Sequence, residues 1–350
     1  MNWMRLHRTF TWYGIAALAL AVLAGMAACS KNVDVTTEDE DDGWTVVNSN
    51  VPVRFSTSLK TAATRGALPA NTTFGVFAFY SSGNIGNLAP NNKPNFMYNE
   101  DVHYDGSTYT YAPVKYWPNN NGRLSFWAYA PYDANPEVLA PGTSTAYTNN
   151  TKGMPDIRFT VTDGQTDFLI ASPSMNNRKP NADAPVSLTF NHALSDIDFK
   201  VKKVDAGGNY TVVLKSISFS YIYLSGDYRN STGTWIVGRG GTAALPVFSG
   251  NQTVTTSEAV VVDNLGETAH VMPIPQDVSG DLIEAKLRIV YTQQIGSSTP
   301  LENVCICDLS GSWVKNMHYT YKITITPNLP IEFTVDKFPW GDNHNIYIDN

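Results

Sequence analysis

Apolar and polar residues alternate with a period of two over much of this chain. In VPVRFSTSL, residues 51–59, Val51, Val53, Phe55, Thr57 and Leu59 share one parity. Successive strand side chains point to opposite faces, so this pattern predicts a strand with one buried face. FGVFAFY, residues 74–80, is apolar on both parities and predicts a central strand covered on each side. VHYDGSTYTY predicts a hairpin turning at Asp105-Gly106. APVKYWPNNNGRLSFWAYAPY predicts a second hairpin, with PNNNG as its turn, and IRFTV and DFLIAS complete the first half.

SPSMNNRKPNADAP, residues 172–185, has almost no apolar content and is where a domain boundary is expected. Beyond it, VSLTFNHALSDIDFKVKKV carries Leu188, Phe190 and Leu194 on one parity and Ile197, Phe199 and Val201 on the other. The change near Ser195-Asp196 predicts a bulge or bend. In AKLRIVY, Leu287, Ile289 and Tyr291 line one face, and in YTYKITI so do Tyr319, Tyr321, Ile323 and Ile325. Gly, Pro, Asn, Ser and Thr punctuate the chain every ten residues or so, and helical periodicity is scarce. The class expected is all-β, with enough strands in each half for a sandwich.

The first residues change the picture. Arg5, His7 and Arg8 precede an apolar stretch from Ile15 to about Ala28, the length of a signal peptide rather than of a membrane span. LAGMAAC resembles a bacterial lipobox, which implies cleavage before Cys29 and lipidation of that residue. Glu38, Asp39, Glu40, Asp41 and Asp42 then form a block of like charges with no apolar surface to bury, expected as a solvated spacer. Surface-exported lipoproteins of the Bacteroidetes often carry acids shortly after the lipidated Cys, so the block also reads as an export address. The expected organisation is a signal over 1–28, a flexible acidic linker over 29–50, and domains over 51–178 and 179–350.

Net charge is −7 with no basic stripe, which argues against nucleic acid as a partner. GxSxG, HExxH, a phosphate-cradling glycine loop and an EF-hand pattern are all absent from the sequence, so neither catalysis nor a cofactor nor a metal is expected. His192 is read as support for a strand bend, and Asp196 and Asp198 as solvent-facing. Cys305 and Cys307, two apart on one strand face, are read as buried free thiols, since two ligands alone make no zinc site.

FGVFAFY, YAPVKYWPNNNGRLSFWAYAPY, VSLTFNHALSDIDFKV, GSWVKNMHYTYKITI and FPWGDN occur in this order. Together, behind a lipoprotein signal, they resemble the fimbrillin family of Bacteroidales, subunits of type V pili. That resemblance implies two tandem transthyretin-like β-sandwiches. It implies export as an outer-membrane lipoprotein, cleavage by an Arg-specific protease after the first strand, and filling of the empty groove by a strand of another subunit. Here the removable strand would carry Val51, Val53, Phe55, Thr57 and Leu59. Cleavage would fall at Arg65, in a loop of small residues; Arg54, the other basic candidate, lies within the strand. The donor would come from Ile331, Phe333, Val335, Ile346 and Ile348. Implied partners are other pilin subunits, the maturation protease, the outer membrane through the lipid, and a host or bacterial surface glycan or protein. The competing reading is a non-polymerising surface lipoprotein that binds glycans through Trp117, Trp127, Tyr129 and Trp235, although these rings alternate within strands as core residues do.

Overall fold

The structure is a computed structural model. It describes residues 48–341, apart from 61–64, 67, 70, 85–93, 134–152, 163–164, 182, 206, 208, 239–240 and 280–283. Cys29, the signal, the acidic block, Ile346 and Ile348 lie outside the described residues.

The described residues hold strands and no helix, as the period-two patterning required. The first half contains β1 (Asn48–Pro52), β2 (Phe55–Lys60), β3 (Arg65–Gly66), β4 (Phe74–Ser81), β5 (Met97–Tyr104) and β6 (Tyr109–Thr110). It continues with β7 (Tyr116–Pro118), β8 (Arg123–Ala130), β9 (Ile157–Thr160), β10 (Leu169–Ser172), β11 (Ser174–Asn177) and β12 (Val186–His192). A nine-stranded sheet runs β3-β2-β12-β10-β8-β4-β5-β6, with β11 pairing β8. β1 pairs β7 in a separate ribbon.

The second half contains β13 (Asp196–Lys203), β14 (Tyr210–Tyr223), β15 (Ser225–Arg229), β16 (Thr234–Val237), β17 (Thr242–Val254) and β18 (Ala259–Val260). β19 (His270–Val271), β20 (Lys286–Ile295), β21 (Leu301–Asp308), β22 (Met317–Ile325) and β23 (Glu332–Pro339) follow. One sheet runs β18-β13-β22-β23, with β19 on β13, and another runs β17-β14-β20-β21. Phe199 on β13 and Tyr321 on β22 meet Phe219 on β14 at ring-centroid distances of 5.8 and 5.9 Å, so these two sheets share a core.

The central strands of the large sheet are buried on both faces, as the apolar-on-both-parities pattern predicts. Phe74, Val76 and Ala78 of β4, with Leu124, Phe126 and Ala128 of β8, face a smaller core that also holds Phe55, Leu188 and Phe190. Phe77 and Phe79 of β4, with Trp127 and Tyr129 of β8, face the other way. They join one continuous core with Ile197, Phe199, Phe219, Ile289 and Tyr321 of the second half.

The sheets do not part where composition suggested. The segment expected as a linker contains β11, which pairs β8. Polar side chains support it: the Asn176 N–H donates to Ser125 Oγ at 2.7 Å and Asn177 Nδ2 to Leu124 O at 3.2 Å. β12, beyond the expected boundary at 178/179, pairs β10 and β2 of the first half. The chain leaves that sheet only after His192, and β13 begins at Asp196, where the parity change predicted a bulge or bend. Likewise, the span expected as linker over 29–50 already enters β1 at Asn48.

Candidate functional site

The predicted single strand over 51–59 is two strands meeting at Val53-Arg54. β1 belongs to the ribbon with β7, through Asn48↔Pro118 and Pro52↔Tyr116. β2 belongs to the large sheet, lying parallel to β12 with Phe55 opposite Val186 and Leu59 opposite Phe190. The break is held by backbone bonds to both layers. The Val53 N–H donates to Lys115 O at 2.8 Å, and the Val186 N–H donates to Arg54 O at 2.7 Å. The Tyr111 hydroxyl donates to Val53 O at 2.9 Å. A strand that must serve two layers changes direction between them, and alternation alone does not register that.

The five predicted positions divide by depth. Val53 and Phe55 are buried, Phe55 at 4% exposure, while Val51, Thr57 and Leu59 are half-buried. The Phe55 ring lies 6.2 Å from Phe74, 5.7 Å from Tyr111 and 5.6 Å from Phe126, centroid to centroid. Thr57 Oγ1 donates to the Tyr109 hydroxyl at 2.8 Å. Beside the segment runs an open groove of about 1310 Å³, lined by Phe55, Thr57, Leu68, Tyr104, Tyr109 and Tyr111 among others.

β2 is paired on one side along five residues. On its other side only Leu59 and Lys60 have partners among the described residues, namely Gly66 and Arg65 of β3. Arg65 was expected in an open loop; its backbone instead folds back as this two-residue strand, because the bare edge of β2 offers it hydrogen-bonding partners. Arg54 sits at the break rather than within a strand and pairs with Asp183 at 3.1 Å, both side chains about half exposed at 51% and 50%.

At the other end of the chain, Ile331 is buried, Phe333 packs 5.8 Å from Tyr321, and Val335 is 41% exposed. All three belong to or adjoin β23, which pairs β22 antiparallel from Met317↔Pro339 to Thr324↔Glu332. The Ile331, Phe333, Val335 half of the expected donor is therefore engaged in this chain's own sheet. Just after β23, Trp340 stacks on His192 at 3.8 Å and 10°, while His192 Nδ1 lies 2.6 Å from Asp167 Oδ2. His192 is at a bend, as read, but its role is to join β12 to the chain's last described turn. Neither ring partner was visible in the sequence, since 148 positions separate them (340 − 192).

Asp196 and Asp198, read as solvent-facing, are largely buried. Asp196 Oδ2 lies 2.7 Å from His318 Nδ1, and its Oδ1 lies 3.0 Å from His270 Nδ1. His318 Nε2 lies 3.4 Å from Asp198 Oδ1. Burial would raise the Asp196 carboxyl, but hydrogen bonds from His270 and His318 outweigh it and hold the group at about 2. Burial would lower His318, but the two carboxylates win and raise it to about 9. The hydrogen bond to Asp196 raises His270 as well. This clamp ties β13 to β22 and β19. Histidines at 270 and 318 are its missing signal, far from Asp196 in sequence and adjacent only across strands.

Trp117, Trp127 and Tyr129 are buried in the two cores. Trp235 packs on Phe168 and Tyr228, and its Nε1 donates to Ala193 O at 2.7 Å. Trp117, Trp127 and Tyr129 thus fill cores, and Trp235 packs half-buried against the larger one. Cys305 and Cys307 are free and half-buried, with Sγ atoms 3.3 Å apart. Among the described residues no cluster of three or more His, Cys, Asp or Glu could hold a metal ion.

Among the described residues, two aromatic-rich cores and long ladders make up the fold, and Asp196, His270 and His318 serve to hold strands together. Residues 61–340 match the family described as fimbrillin-like. The fimbrium subunit Fim1C of Phocaeicola vulgatus is 30% identical over 229 residues, 60% of this chain and 58% of that protein; this chain thus spans less than two thirds of that relative. The crystal structure of a fimbrial protein from Bacteroides vulgatus has the same fold, with a TM-score of 0.59 and 22% identity over 83% of this chain and 99% of that one. A candidate cell adhesion protein from Bacteroides ovatus matches with a TM-score of 0.51 and 16% identity, over 83% and 97% of the two chains. The chain belongs to the fimbrillin-like family.

Proposed function

We propose that this chain is a structural subunit of a surface fimbrium with a role in adhesion. In this reading it is exported as an outer-membrane lipoprotein through Cys29 and polymerises by strand exchange. Cleavage after Arg65 releases the leading segment with β1 and β2, and a strand from another subunit takes their place.

The observation that carries this reading is the pairing of β2: parallel, five residues long, and one-sided over most of its length, with Phe55 as its buried plug. Release of the segment breaks the five-residue ladder of β2 to β12 and the short β1–β7 ribbon, but no long ladder on the other side of β2. Its loss uncovers an apolar slot and a row of unpaired N–H and C=O groups on β12. An incoming strand repairs both, main-chain bonds supplying affinity and side-chain pockets supplying register. Each buried apolar anchor contributes ~1.5–3 kcal/mol. β3 is only two residues long, and short terminal pairings open at little cost, so Arg65 can reach a protease cleft by fraying. Because β23 is committed to its own sheet, the donor role passes to Ile346 and Ile348 beyond it. Other pilin subunits, an Arg-specific protease and the outer membrane are the partners this reading requires.

The test is limited digestion of the purified chain with an Arg-specific protease, beside an Arg65→Gln variant. The wild type should acquire an N-terminus at Gly66 and then run as a detergent-resistant ladder, while Arg65→Gln stays monomeric. A cleaved wild type that remains monomeric, or cleavage confined to Arg54, would overturn the reading.

A further inference from the structure

β21 is the free edge of the β17-β14-β20-β21 sheet among the described residues. Its inward face carries Cys305 opposite Ile289 and Cys307 opposite Leu287, and both sulfurs pack on the larger core. Its outward face carries Val304 at 51% and Ile306 at 64% exposure. Residues i and i+2 of a strand lie about 6.6–6.8 Å apart at Cα, two rises of ~3.3–3.4 Å. Disulfides bridge Cα separations of roughly 4.4–6.8 Å, most often ~5.5–6 Å. The two cysteines are thus at the far limit of that range, with their Sγ atoms already 3.3 Å apart and facing each other.

We propose that Cys305 and Cys307 are a reversible dithiol, closed to an intrastrand disulfide by exchange with an external disulfide. In the closing step each thiol gives up its proton, the two sulfurs join, and the electron pair passes to the external disulfide, which leaves as two thiols. Burial, then the hydrogen bond and charge of its neighbour, push the Cys307 thiol up, so closure should quicken as pH rises. Thiolate, not thiol, is the attacking species. Closure draws the two Cα atoms together, so β21 buckles at Ile306 and its pairing with Arg288 loosens. A strained disulfide of this kind is also readily reduced. The consequence is an edge whose regularity depends on redox state. In the dithiol form β21 presents a straight eight-residue edge with two exposed apolar side chains, the geometry that invites strand addition. In the disulfide form that edge is broken. This chemistry is independent of cleavage at Arg65.

The experiment treats the full purified chain with oxidised glutathione, denatures it, alkylates it and maps the tryptic peptide 289–315, which contains both cysteines and no internal Lys or Arg. The expected peptide carries no alkyl group and is about 2 Da lighter, two hydrogens lost per disulfide; excess reduced glutathione restores it. Cys307→Ser should trap a glutathione adduct at Cys305, and Cys305→Ser one at Cys307. Hydrogen exchange of 304–308 should quicken on oxidation. A wild-type peptide that still takes two alkyl groups, or two separate glutathione adducts, would overturn the proposal, and the wild-type mapping decides this even if neither variant folds.

Discussion

β2, near the start of the described chain and edged only by the two-residue β3, and β23, the last strand and an edge of its sheet, are held in opposite ways. β2 lies parallel to its neighbour over five residues and owes its place to Phe55. Its charged anchor, Arg54–Asp183, is half exposed, and exposed pairs contribute only ~0–1 kcal/mol. β23 lies antiparallel to its neighbour over eight residues. Behind it β22 is tied to β13 by the buried Asp196–His318 pair, and ahead of it Trp340 is stacked on His192. The first edge is a plug in a slot; the last is a ladder fastened at both its root and its end. A removable strand must keep most of its hold in contacts that a replacement can supply, and side-chain pockets meet that condition better than buried ion pairs.

Phe55→Ala should separate the two edges most sharply. Removing a buried Phe costs ~3–5 kcal/mol, and urea unfolding of the variant should record a loss of that order. A loss under ~1 kcal/mol, the scale of ordinary surface changes, would mean the first strand is no part of the core.

Asp196→Ala attacks the root of the last edge. It leaves His318 and His270 without their main partner, and breaking a buried pair costs roughly 3 kcal/mol or more. The same clamp predicts a pH profile. Asp196 is held at about 2, below its ordinary 3.8, so its contribution is complete above 3.8 and fades as pH falls through about 2. His318 is raised to about 9 from 6.5, so its contribution is complete below 6.5 and fades as pH rises through about 9. Thermal melts should therefore plateau between roughly pH 4 and 6.5 and decline toward pH 9. His318→Gln should flatten the alkaline arm, and an unchanged arm would place the titration elsewhere.

Trp340→Ala should cost about 1 kcal/mol, the scale of an aromatic pair, and should speed hydrogen exchange in β23 before any in β2. Equal acceleration of both edges would mean that the His192 stack couples them through β12. Val335→Ala, on the exposed face of β23, should stay within ~0.5 kcal/mol. A larger effect would make that face a contact in its own right.

Some of this was legible from residue order. Val53 and Phe55 were readable as buried, as were the double-sided β4 and the bend after His192, because each follows from the parity of neighbouring side chains. So were the core roles of Trp117, Trp127 and Tyr129. The break at Val53-Arg54, the strand at Ser174–Asn177 and the burial of Asp196 were not. Each is made by a partner that local patterning cannot point to: Lys115 for the break, Leu124 and Ser125 for the polar strand, His270 and His318 for the carboxylate.

The sequence by itself determined the all-β class and which faces of the strands are apolar, since alternation is a property of adjacent residues. Only the tertiary structure decided which strands are neighbours. It joined β2 to β12 in parallel across some 130 residues (186 − 55 = 131) and left one edge thinly held and the other firmly fastened. Pairing is a contest among all the strand edges in the folded chain, settled by core shape and partner geometry, and no single stretch of sequence records who its rivals are.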